Sequence, residues 1–338
     1  MLCRPCYRRS RWRYATLLIG GVISADRPLT SYASEDAPAV EFQPQAGSVA
    51  IIIGGKPFAT FTYQDNNISR PYFAHLRAPG GVQVSRNHPP VEGCDAPGHD
   101  WTHPGLWMSF GDINGSDYWR LAAPVKFQRF VEAPKGGPGR GGFMARYDYL
   151  DQKNPDEVVC HEDFHCQIEV APAGYLILWD STFSSDKEFI FGDQEDMGIA
   201  CRIATPIRAE RDSEIGLPPG NGEIRNSEGG RNEDETWGKT AAWCDYSGEL
   251  SGQRVGMALF SHPENFRPSW FHSRDYGLLV ANPFGRASFG QGEKSAVKVA
   301  PGQSLRLRYG VLIHNSAPRG AIDMDDAYEN YVRLSGDK

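Results

Sequence analysis

The stretch YLILWDSTF, residues 175–183, is the clearest indication of the fold. Its branched and aromatic side chains are the types enriched in β-strands. Upstream of it, residues 143–150 and 157–170 alternate between apolar and polar side chains with a period near two, as half-buried strands do. The 338 residues include 37 Gly and 24 Pro, which suits a chain with many turns better than a helical one. These patterns predict an all-β protein.

Strand patterns continue toward both ends of the chain. Ser48–Ile53 and Ala59–Tyr63 flank Gly54–Gly55 and predict a first hairpin. Asp323–Leu334 is the exception, because apolar residues recur there at helical spacing and predict one C-terminal helix. No internal repeat or break of composition separates these segments. We therefore predict one domain, residues 48–338, built as a large β-sandwich.

Three segments carry no strand pattern. Residues 34–47 are acidic and Pro-rich and predict a linker before the domain. Residues 135–142, KGGPGRGG, predict a flexible loop. Residues 208–236 are polar, with scattered acids and a Pro-Pro-Gly turn, and predict an irregular excursion over the surface.

The first 33 residues predict a targeting segment. Five arginines and no acid occur in the first fourteen residues, and the short apolar run Ala15–Ala25 follows them. Small residues after that run provide cleavage sites of the kind found in secretory signals. The run is too short and too Gly-rich to span a bilayer, and no later stretch is apolar enough. We predict export to the periplasm or the cell exterior and no membrane span; a disordered basic tail is the alternative.

The charge balance narrows the range of partners. The formal net charge is −7, and without the five N-terminal arginines the rest of the chain carries −12. An acidic body with no basic stripe argues against nucleic acid and anionic membranes as partners. The sequence contains no phosphate-binding loop, dinucleotide-binding turn, serine-hydrolase elbow or HExxH motif. We therefore predict no cofactor and no nucleic-acid partner.

The stretch WTHPGLWMSFGDINGSDYW, residues 101–119, is the first candidate site. Aromatic faces can lie on the apolar rings of a ligand while carboxylates, amides and imidazoles recognise its polar edges. The residues singled out in this stretch are His103, Trp107, Asp112, Asn114, Asp117 and Trp119. The alternative is structural: the tryptophans would fill the core, and Asp112 and Asn114 would bond to the backbone of a tight turn.

A second candidate site lies in residues 262–277, HPENFRPSWFHSRDYG. Trp270, His272 and Arg274 alternate there, so in a strand they would share one face. An indole, an imidazole and a guanidinium on one face suit stacking and polar recognition, and Tyr276 follows them. The alternative is a satisfied histidine beside a surface arginine.

Two further segments contain ligand-type side chains. Glu195 and Asp196 are neighbours within residues 193–202, and one of them could approach a histidine in space as a general base. The alternative for each is a solvated turn. In CHEDFHC, residues 160–166, a strand would place two histidines and one aspartate on one face. The spacing does not match the usual zinc layouts, so an edge strand is the preferred interpretation.

Several of these segments together resemble one protein family. The motifs that carry the resemblance are Arg70–Pro71–Tyr72, Trp101-x-His103, Gly105–Leu106–Trp107, Gly111–Gly115, Asp117–Trp119, Glu195–Gly198, Trp237–Gly238, Trp243, His262–Pro263-x-Asn265, Trp270–Gly277 and Arg308–His314. The family is DUF6807, a family of unknown function often labelled methane oxygenase PmoA, and the resemblance covers nearly the whole body. The label is poor guidance, because the subunit that it borrows from is a membrane protein. A longer loop before Trp101 and the cysteine-containing segment depart from the family pattern.

The resemblance also implies a fold. The overall sequence pattern resembles that of the galactose-mutarotase-like supersandwich. This fold is a β-sandwich used by sugar epimerases, glycoside hydrolases and polysaccharide lyases. Fold alone does not give function. The aromatic, imidazole and carboxylate content of the two candidate sites nevertheless agrees with a sugar ligand.

The leading hypothesis is an exported carbohydrate-active protein, and specifically an enzyme of epimerase, lyase or hydrolase type that acts on a sugar or oligosaccharide. Its predicted catalytic residues are His103, His272 and Glu195. Its predicted substrate-binding residues are Trp107, Asp112, Asn114, Asp117, Trp119, Arg202, Trp270, Arg274 and Tyr276. The hypothesis requires residues 101–119 and 262–277 to converge. The alternatives are a carbohydrate-binding protein without catalysis and a metal-binding protein that uses the Cys160–Cys166 segment.

Overall fold

The architecture is built mainly from antiparallel strands, which confirms the all-β prediction. The computed structural model describes residues 36–211, 216–316 and 322–336, and the predicted targeting segment, residues 1–33, lies outside them. The strands are β1 (Ala39–Gln45), β2 (Ser48–Ile53), β3 (Lys56–Thr62), β4 (Tyr72–Ala74), β5 (Leu106–Phe110), β6 (Val125–Pro138), β7 (Arg140–Leu150), β8 (Val158–Ala171), β9 (Gly174–Ser184), β10 (Phe189–Phe191), β11 (Met197–Arg202), β12 (Glu223–Asn226), β13 (Lys239–Thr240), β14 (Trp243–Leu250), β15 (Gln253–Ser261), β16 (Trp270–Arg274), β17 (Leu278–Asn282), β18 (Val297–Val299) and β19 (Ser304–Asn315). The helices are α1 (Asn232–Thr236) and α2 (Met324–Ser335).

Most strands pair into two large sheets that are joined along one edge, and β10 and β18 form a separate two-stranded sheet. In the front sheet, the order of neighbours is β1–β2–β3–β4–β5–β11–β17–β16–β13. In the back sheet, the order is β6–β7–β8–β9–β19–β15–β14–β12. Strand β1 also pairs with β6, which connects the two sheets. Two stacked layers allow each sheet to bury its apolar face against the other.

The core lies between these two sheets. Phe61 on β3 stacks on Phe143 on β7 with ring centroids 4.6 Å apart. Phe73 on β4 lies 5.9 Å from Trp179 on β9, measured between ring centroids. All four rings belong to one large cluster of buried apolar residues. This interior confirms the predicted β-sandwich.

The opposite face of the front sheet carries several of the candidate site residues. Residues that are directly paired on neighbouring strands share a face, so the register of β5, β11, β17 and β16 arranges side chains in rows. One row is Trp107, Ala200, Val280 and His272, and the next is Arg202, Leu278 and Arg274. We call the surface formed by these seven residues the site face. Their neighbours along the strands, such as Leu106 and Cys201, point into the core instead.

Three segments predicted to be irregular contain regular structure. Part of the predicted linker forms β1, because Val40 is buried in the core and the backbone pairs with β2. Residues 135–142 are the tip of the β6–β7 hairpin, which turns at Gly139 with a φ of +70°. The excursion at residues 208–236 contains β12 and α1. In each case contacts with other segments satisfy the backbone N–H and C=O groups. The local composition alone does not predict those contacts.

The C-terminal helix agrees with its prediction. Helix α2 begins after Asp323, whose carboxylate accepts hydrogen bonds from the backbone N–H groups of Asp325 and Asp326. Met324 and Tyr331 bury its apolar side in a separate cluster on the back sheet. Along the described part of the chain, neither helix combines the length and the apolar content needed to cross a bilayer.

Candidate functional site

Two adjacent carboxylates reach the imidazole of His272 at the β16 end of the site face. Asp196 Oδ1 lies 3.7 Å from His272 Nδ1, and Glu195 Oε2 lies 3.9 Å from His272 Nε2. The Asn282 side chain holds the segment that carries both acids, because its Nδ2 donates to the carbonyls of Gln194 and Glu195 at 2.8 and 3.0 Å. The predicted contact between Glu195 and a histidine is therefore present in the structure, and Asp196 shares it.

His272 is held as a neutral imidazole. Arg274 Nε donates to His272 Nε2 at 2.9 Å, which places the ring proton on Nδ1. That nitrogen lies 3.3 Å from the carbonyl oxygen of Glu195. Burial and the nearby Arg274 charge lower the pKa of His272 to about 3. The ring therefore donates a hydrogen bond but does not gain a proton near neutral pH.

Asp196 has the opposite electrostatic character. Burial raises its pKa to about 6, even though the guanidinium of Arg120 contacts it, and the charges of Glu195 and Asp117 raise it further. A carboxyl group with this pKa exchanges a proton in the neutral range. Asp196 was considered from the sequence only as the neighbour of Glu195, because burial is not visible in a pattern of residues.

The short helix α1 completes this polar cluster. Arg274 Nη1 donates to Glu233 Oε1 at 2.6 Å, and its Nη2 donates to Glu195 Oε2 at 3.3 Å. The Arg274 guanidinium carbon lies 5.6 Å from the ring centroid of Trp237, which is partly exposed. We call Asp117, Arg120, Glu195, Asp196, Glu233, His272 and Arg274 the polar cluster. Glu233 and Arg120 were not predicted, because they lie in or beside segments without a distinctive pattern.

Glu195, Asp196 and His272 also have the ligand types that a metal ion needs. Their nearest ligand atoms all lie within 4.8 Å of one another. Arg120 and Arg274 already pair with the two carboxylates, and Arg274 occupies the Nε2 lone pair of His272. A cation would therefore have to displace two guanidinium groups, so the arrangement is better described as a network of ion pairs.

A stack of flat side chains covers the other end of the site face. His103 lies parallel to His99, with ring centroids 4.3 Å apart, and 5.1 Å from Trp107. His99 in turn lies 6.1 Å from the ring of Tyr276, at an angle of 11°. The Arg202 guanidinium carbon lies 4.4 Å from the centroid of that Tyr276 ring. The ring of His99 thus lies between His103, in residues 101–119, and Tyr276, in residues 262–277, and links the two segments indirectly.

Two buried arginines hold the loops that carry this stack. The Arg86 guanidinium donates to the carbonyls of Ala96, Gly98, His99 and His103. The Arg70 guanidinium donates to the carbonyls of Thr102, Tyr118 and Trp119. Each arginine thus organises a long loop by bonding to its backbone, which explains how a polar segment packs over a sheet.

The position of His103 favours packing over catalysis. It is buried between two parallel rings, and its Nδ1 has no hydrogen-bond partner. Burial and the nearby Arg202 charge hold its pKa well below the ordinary value. No carboxylate among the described residues pairs with it, so it lacks the partner that a general base uses. The predicted acid/base pairing of His103 with His272 is not supported by this geometry.

Several predicted binding residues have structural tasks instead. Asp112 Oδ1 accepts the Gly115 N–H at 2.8 Å, and Asn114 Oδ1 accepts the Ile190 N–H at 2.8 Å, so both shape a turn. Trp107 and Trp119 are 0% and 2% exposed and belong to a buried cluster. Trp270 is 8% exposed, with the Arg267 guanidinium over its ring. These indoles are packed inside the protein, whereas Trp237 is the partly exposed one beside the polar cluster.

The Cys160–Cys166 segment alternates on β8 as predicted, but β8 lies between β7 and β9 and is not the expected edge strand. Among the described residues, its ligand atoms do not gather into a group of three. Cys160 and Cys166 are buried free thiols whose pKa values are raised by burial. On the outer side, His161 Nδ1 bonds to Asp148 at 2.6 Å, and Asp163 forms a bidentate pair with Arg146. The two cysteines therefore face the core, while His161 and Asp163 on the outer side already have other partners, which weakens the metal-binding alternative.

Comparisons with known proteins identify the family but not an activity. No curated protein matches the chain by sequence. A galactose mutarotase-like protein from Lactobacillus casei ATCC 334 is 9% identical with a TM-score of 0.40, and the match covers 81% of this chain and 100% of that one. A GH36 alpha-galactosidase from Geobacillus stearothermophilus is 10% identical with a TM-score of 0.40, but the match spans only 40% of its length and 81% of this chain. These likenesses are too loose to carry a functional inference. The model of the family of unknown function DUF6807 matches residues 48–328, and the chain therefore belongs to that family.

Proposed function

We propose that this protein is a carbohydrate-active enzyme whose polar cluster transfers protons to and from a sugar. Asp196 is the proposed acid, Glu195 the proposed base, and His272 a neutral hydrogen-bond donor beside them. The observation that carries this proposal is the raised pKa of Asp196, about 6, in a largely buried carboxyl group that adjoins a second carboxylate. Pairs of carboxyl groups in unequal surroundings commonly divide acid and base work between them.

The surroundings of the two acids support different roles for them. The Asp196 side chain is 16% exposed and the Glu195 side chain is 40% exposed. The more buried carboxyl group takes up a proton at a higher pH than an ordinary aspartate and can donate it, and the more exposed one faces the solvent from which a substrate arrives. Arg274 contacts Glu195 and fixes its position relative to His272.

The rest of the polar cluster supports a polyhydroxylated substrate. Arg120, Arg274 and Glu233 present charged donors and acceptors that match the hydroxyl groups of a sugar. The partly exposed Trp237 offers an apolar surface beside them. A flat apolar surface next to convergent polar groups suits the apolar face and the polar edge of a sugar ring.

A substrate screen with a matched pair of variants tests the proposal. The parent protein is incubated with a panel of monosaccharides and oligosaccharides, and the products are detected by NMR. Asp196→Asn removes the exchangeable proton, so we expect turnover to fall by about 100-fold or more with little change in KM. Asp163→Asn is the control, because Asp163 is also paired with an arginine but lies on the back sheet. Equal effects of the two substitutions on turnover would reject Asp196 as the acid.

One observation favours carbohydrate binding without catalysis as a second candidate. Arg120 and Arg274 already pair with both carboxylates, as they would in a rigid recognition surface. In that case the panel would include ligands that bind the parent protein with no product formed. Asp196→Asn would then change affinity and not a rate.

Export is a separate part of the proposal, supported by the basic and apolar residues of the predicted targeting segment. Fractionation of cells that express the full chain tests it. We expect the protein outside the cytoplasm and shortened near residue 33. Full-length protein in the cytoplasm would contradict export.

A further inference from the structure

Arg202 is a buried charged group that has no role in the proposed proton transfer. It lies on β11, is 2% exposed, and neither its Nε nor its Nη1 has a hydrogen-bond partner. Within the described ranges it forms no ion pair. A buried charge without a partner costs several kcal/mol, on the order of a large fraction of a domain's stability, so it calls for a physical explanation.

The neighbouring buried arginines show that this situation is specific to Arg202. Arg70 and Arg86 each leave only Nε without a partner, because their terminal nitrogens bond to loop carbonyls. Arg208, which is equally buried, donates to two carbonyls and to Glu210. These three arginines stabilise the fold through their bonds to the chain, whereas Arg202 has no such bond from Nε or Nη1.

Two groups of opposite charge act on Arg202, the Arg86 guanidinium and the Glu210 carboxylate. His99 and His103 are both kept neutral, since burial and the charges of Arg202 and Arg86 lower their pKa values. Burial and the Arg86 charge also lower the pKa of Arg202, to about 10, which still leaves it charged at neutral pH. A desolvated guanidinium attracts an anion more strongly than a solvated one.

Arg202 also lies on the same surface as the polar cluster. Arg202 and Arg274 are both paired with Leu278 from opposite sides, so two strand spacings, about 10 Å, separate them across the sheet. A sugar ligand that lies along this row can therefore contact both residues. The partly exposed Tyr276 ring covers the Arg202 guanidinium and must move aside to admit it.

We propose that Arg202 binds a carboxylate carried by the substrate, so that the sugar recognised on the site face is an acidic one of the uronate class. The inference rests on the proposed function, because it extends the substrate from sugars in general to acidic sugars. The carboxylate would accept hydrogen bonds from Nε and Nη1, the two groups that the chain leaves without acceptors. Movement of Tyr276 would open the subsite.

The test compares ligands that differ only in charge. The methyl glycosides of D-glucuronate and D-galacturonate, their methyl esters, and the corresponding neutral glycosides are titrated into the full-length protein by calorimetry at constant ionic strength. We expect each acid to bind about tenfold or more tightly than its ester, because a charged hydrogen bond to a buried guanidinium is lost in the ester. This comparison uses the parent protein, so it does not depend on any variant folding.

Variants then assign the discrimination to Arg202. In Arg202→Met we expect the acid and its ester to bind with equal affinity, whereas Arg146→Met on the back sheet should retain the preference. Neutral sugars that bind as well as the acids would overturn the inference and leave the proposed function standing. A preference for the acid that persists in Arg202→Met would overturn the assignment to Arg202. Failure of every sugar in the panel to bind would overturn both proposals.

Discussion

Glu162 in the back sheet and Arg202 in the front sheet are both buried residues of ionisable type, but they differ in their hydrogen-bond partners. Glu162 Oε2 accepts the Tyr149 hydroxyl at 2.9 Å, and its Oε1 accepts the Ser181 hydroxyl at 2.5 Å. Trp179 Nε1 donates to the same Ser181 at 2.9 Å, so the network extends to a core indole. Arg202 has no acceptor for Nε or Nη1.

The two residues differ in whether the chain supplies their hydrogen-bond partners. A buried group whose partners all come from the chain fixes the packing of its neighbours and contributes to stability. A buried charge that the chain leaves unsatisfied destabilises the free protein, and a ligand of opposite charge would remove that cost. We therefore interpret the back-sheet network as structural and the front-sheet arginine as part of a binding site.

Removal of Glu162 gives the largest expected effect on this comparison. Glu162→Ala leaves the Tyr149 and Ser181 hydroxyls buried without acceptors and opens a cavity, so we expect the free energy of unfolding to fall by about 4 kcal/mol. Urea denaturation measures this value. Glu157→Ala, which removes an exposed glutamate paired with Lys187, should change it by less than about 0.5 kcal/mol. A loss below about 1 kcal/mol in Glu162→Ala would contradict a structural role for the network.

The pH dependence of stability sharpens the same contrast. Burial raises the pKa of Glu162 from 4.5 to about 7, which corresponds to about 3 kcal/mol. Because the folded protein holds this proton more tightly than the unfolded chain, the contribution is fully present below pH 4.5 and is lost as the pH rises through about 7. Unfolding free energies measured from pH 4 to 8 should show this decline in the parent and a flatter profile in Glu162→Gln. Identical profiles would show that Glu162 does not titrate differently in the folded state.

Removal of the Arg202 charge should change the free energy of unfolding in the opposite direction and stabilise the ligand-free protein. Arg202→Met deletes a buried charge that lacks acceptors, so we expect the free energy of unfolding of the ligand-free protein to rise by about 1 to 2 kcal/mol. Arg208→Met removes an equally buried arginine whose bonds are satisfied, and it should lower that free energy. Denaturant melts of both variants measure the difference. Destabilisation by both substitutions to the same degree would place Arg202 among the structural arginines.

An exposed ion pair on the back sheet gives the smallest expected effect. Arg146 and Asp163 pair at 2.7 Å with both side chains partly exposed. Solvent screening limits such a pair to less than about 1 kcal/mol, so Asp163→Asn should leave the urea midpoint nearly unchanged. This small value also qualifies Asp163→Asn as the control for Asp196→Asn. A large destabilisation would disqualify it.

The sequence predicted the fold well because its signals are local. Alternation of apolar and polar residues indicated β7 and β8, and the helical spacing after Asp323 indicated α2. The predicted linker and loop failed where the decisive contacts are distant. Strand β1 forms because β2 and β6 supply backbone partners, and no property of residues 39–45 alone reveals that.

Alternation alone predicted that Trp270, His272 and Arg274 share one face, and the register of β16 agrees with it. The roles of the individual residues were harder to predict from the sequence, since they depend on burial and on partners distant in sequence. His103 and His272 look equivalent in the sequence, yet one is packed between rings and the other bonds to Arg274. The unsatisfied state of Arg202 likewise depends on which residues surround it in three dimensions.

The ionisation of Asp196 tests the central claim most directly, because the proposed chemistry depends on a carboxyl group that exchanges its proton near neutrality. The side-chain carboxyl resonances of aspartates can be followed by carbon-13 NMR between pH 3 and 8, with Asp196→Asn identifying the resonance of Asp196. We predict a midpoint near pH 6 for Asp196. A midpoint close to the ordinary aspartate value of 3.8 would contradict the proposed acid role.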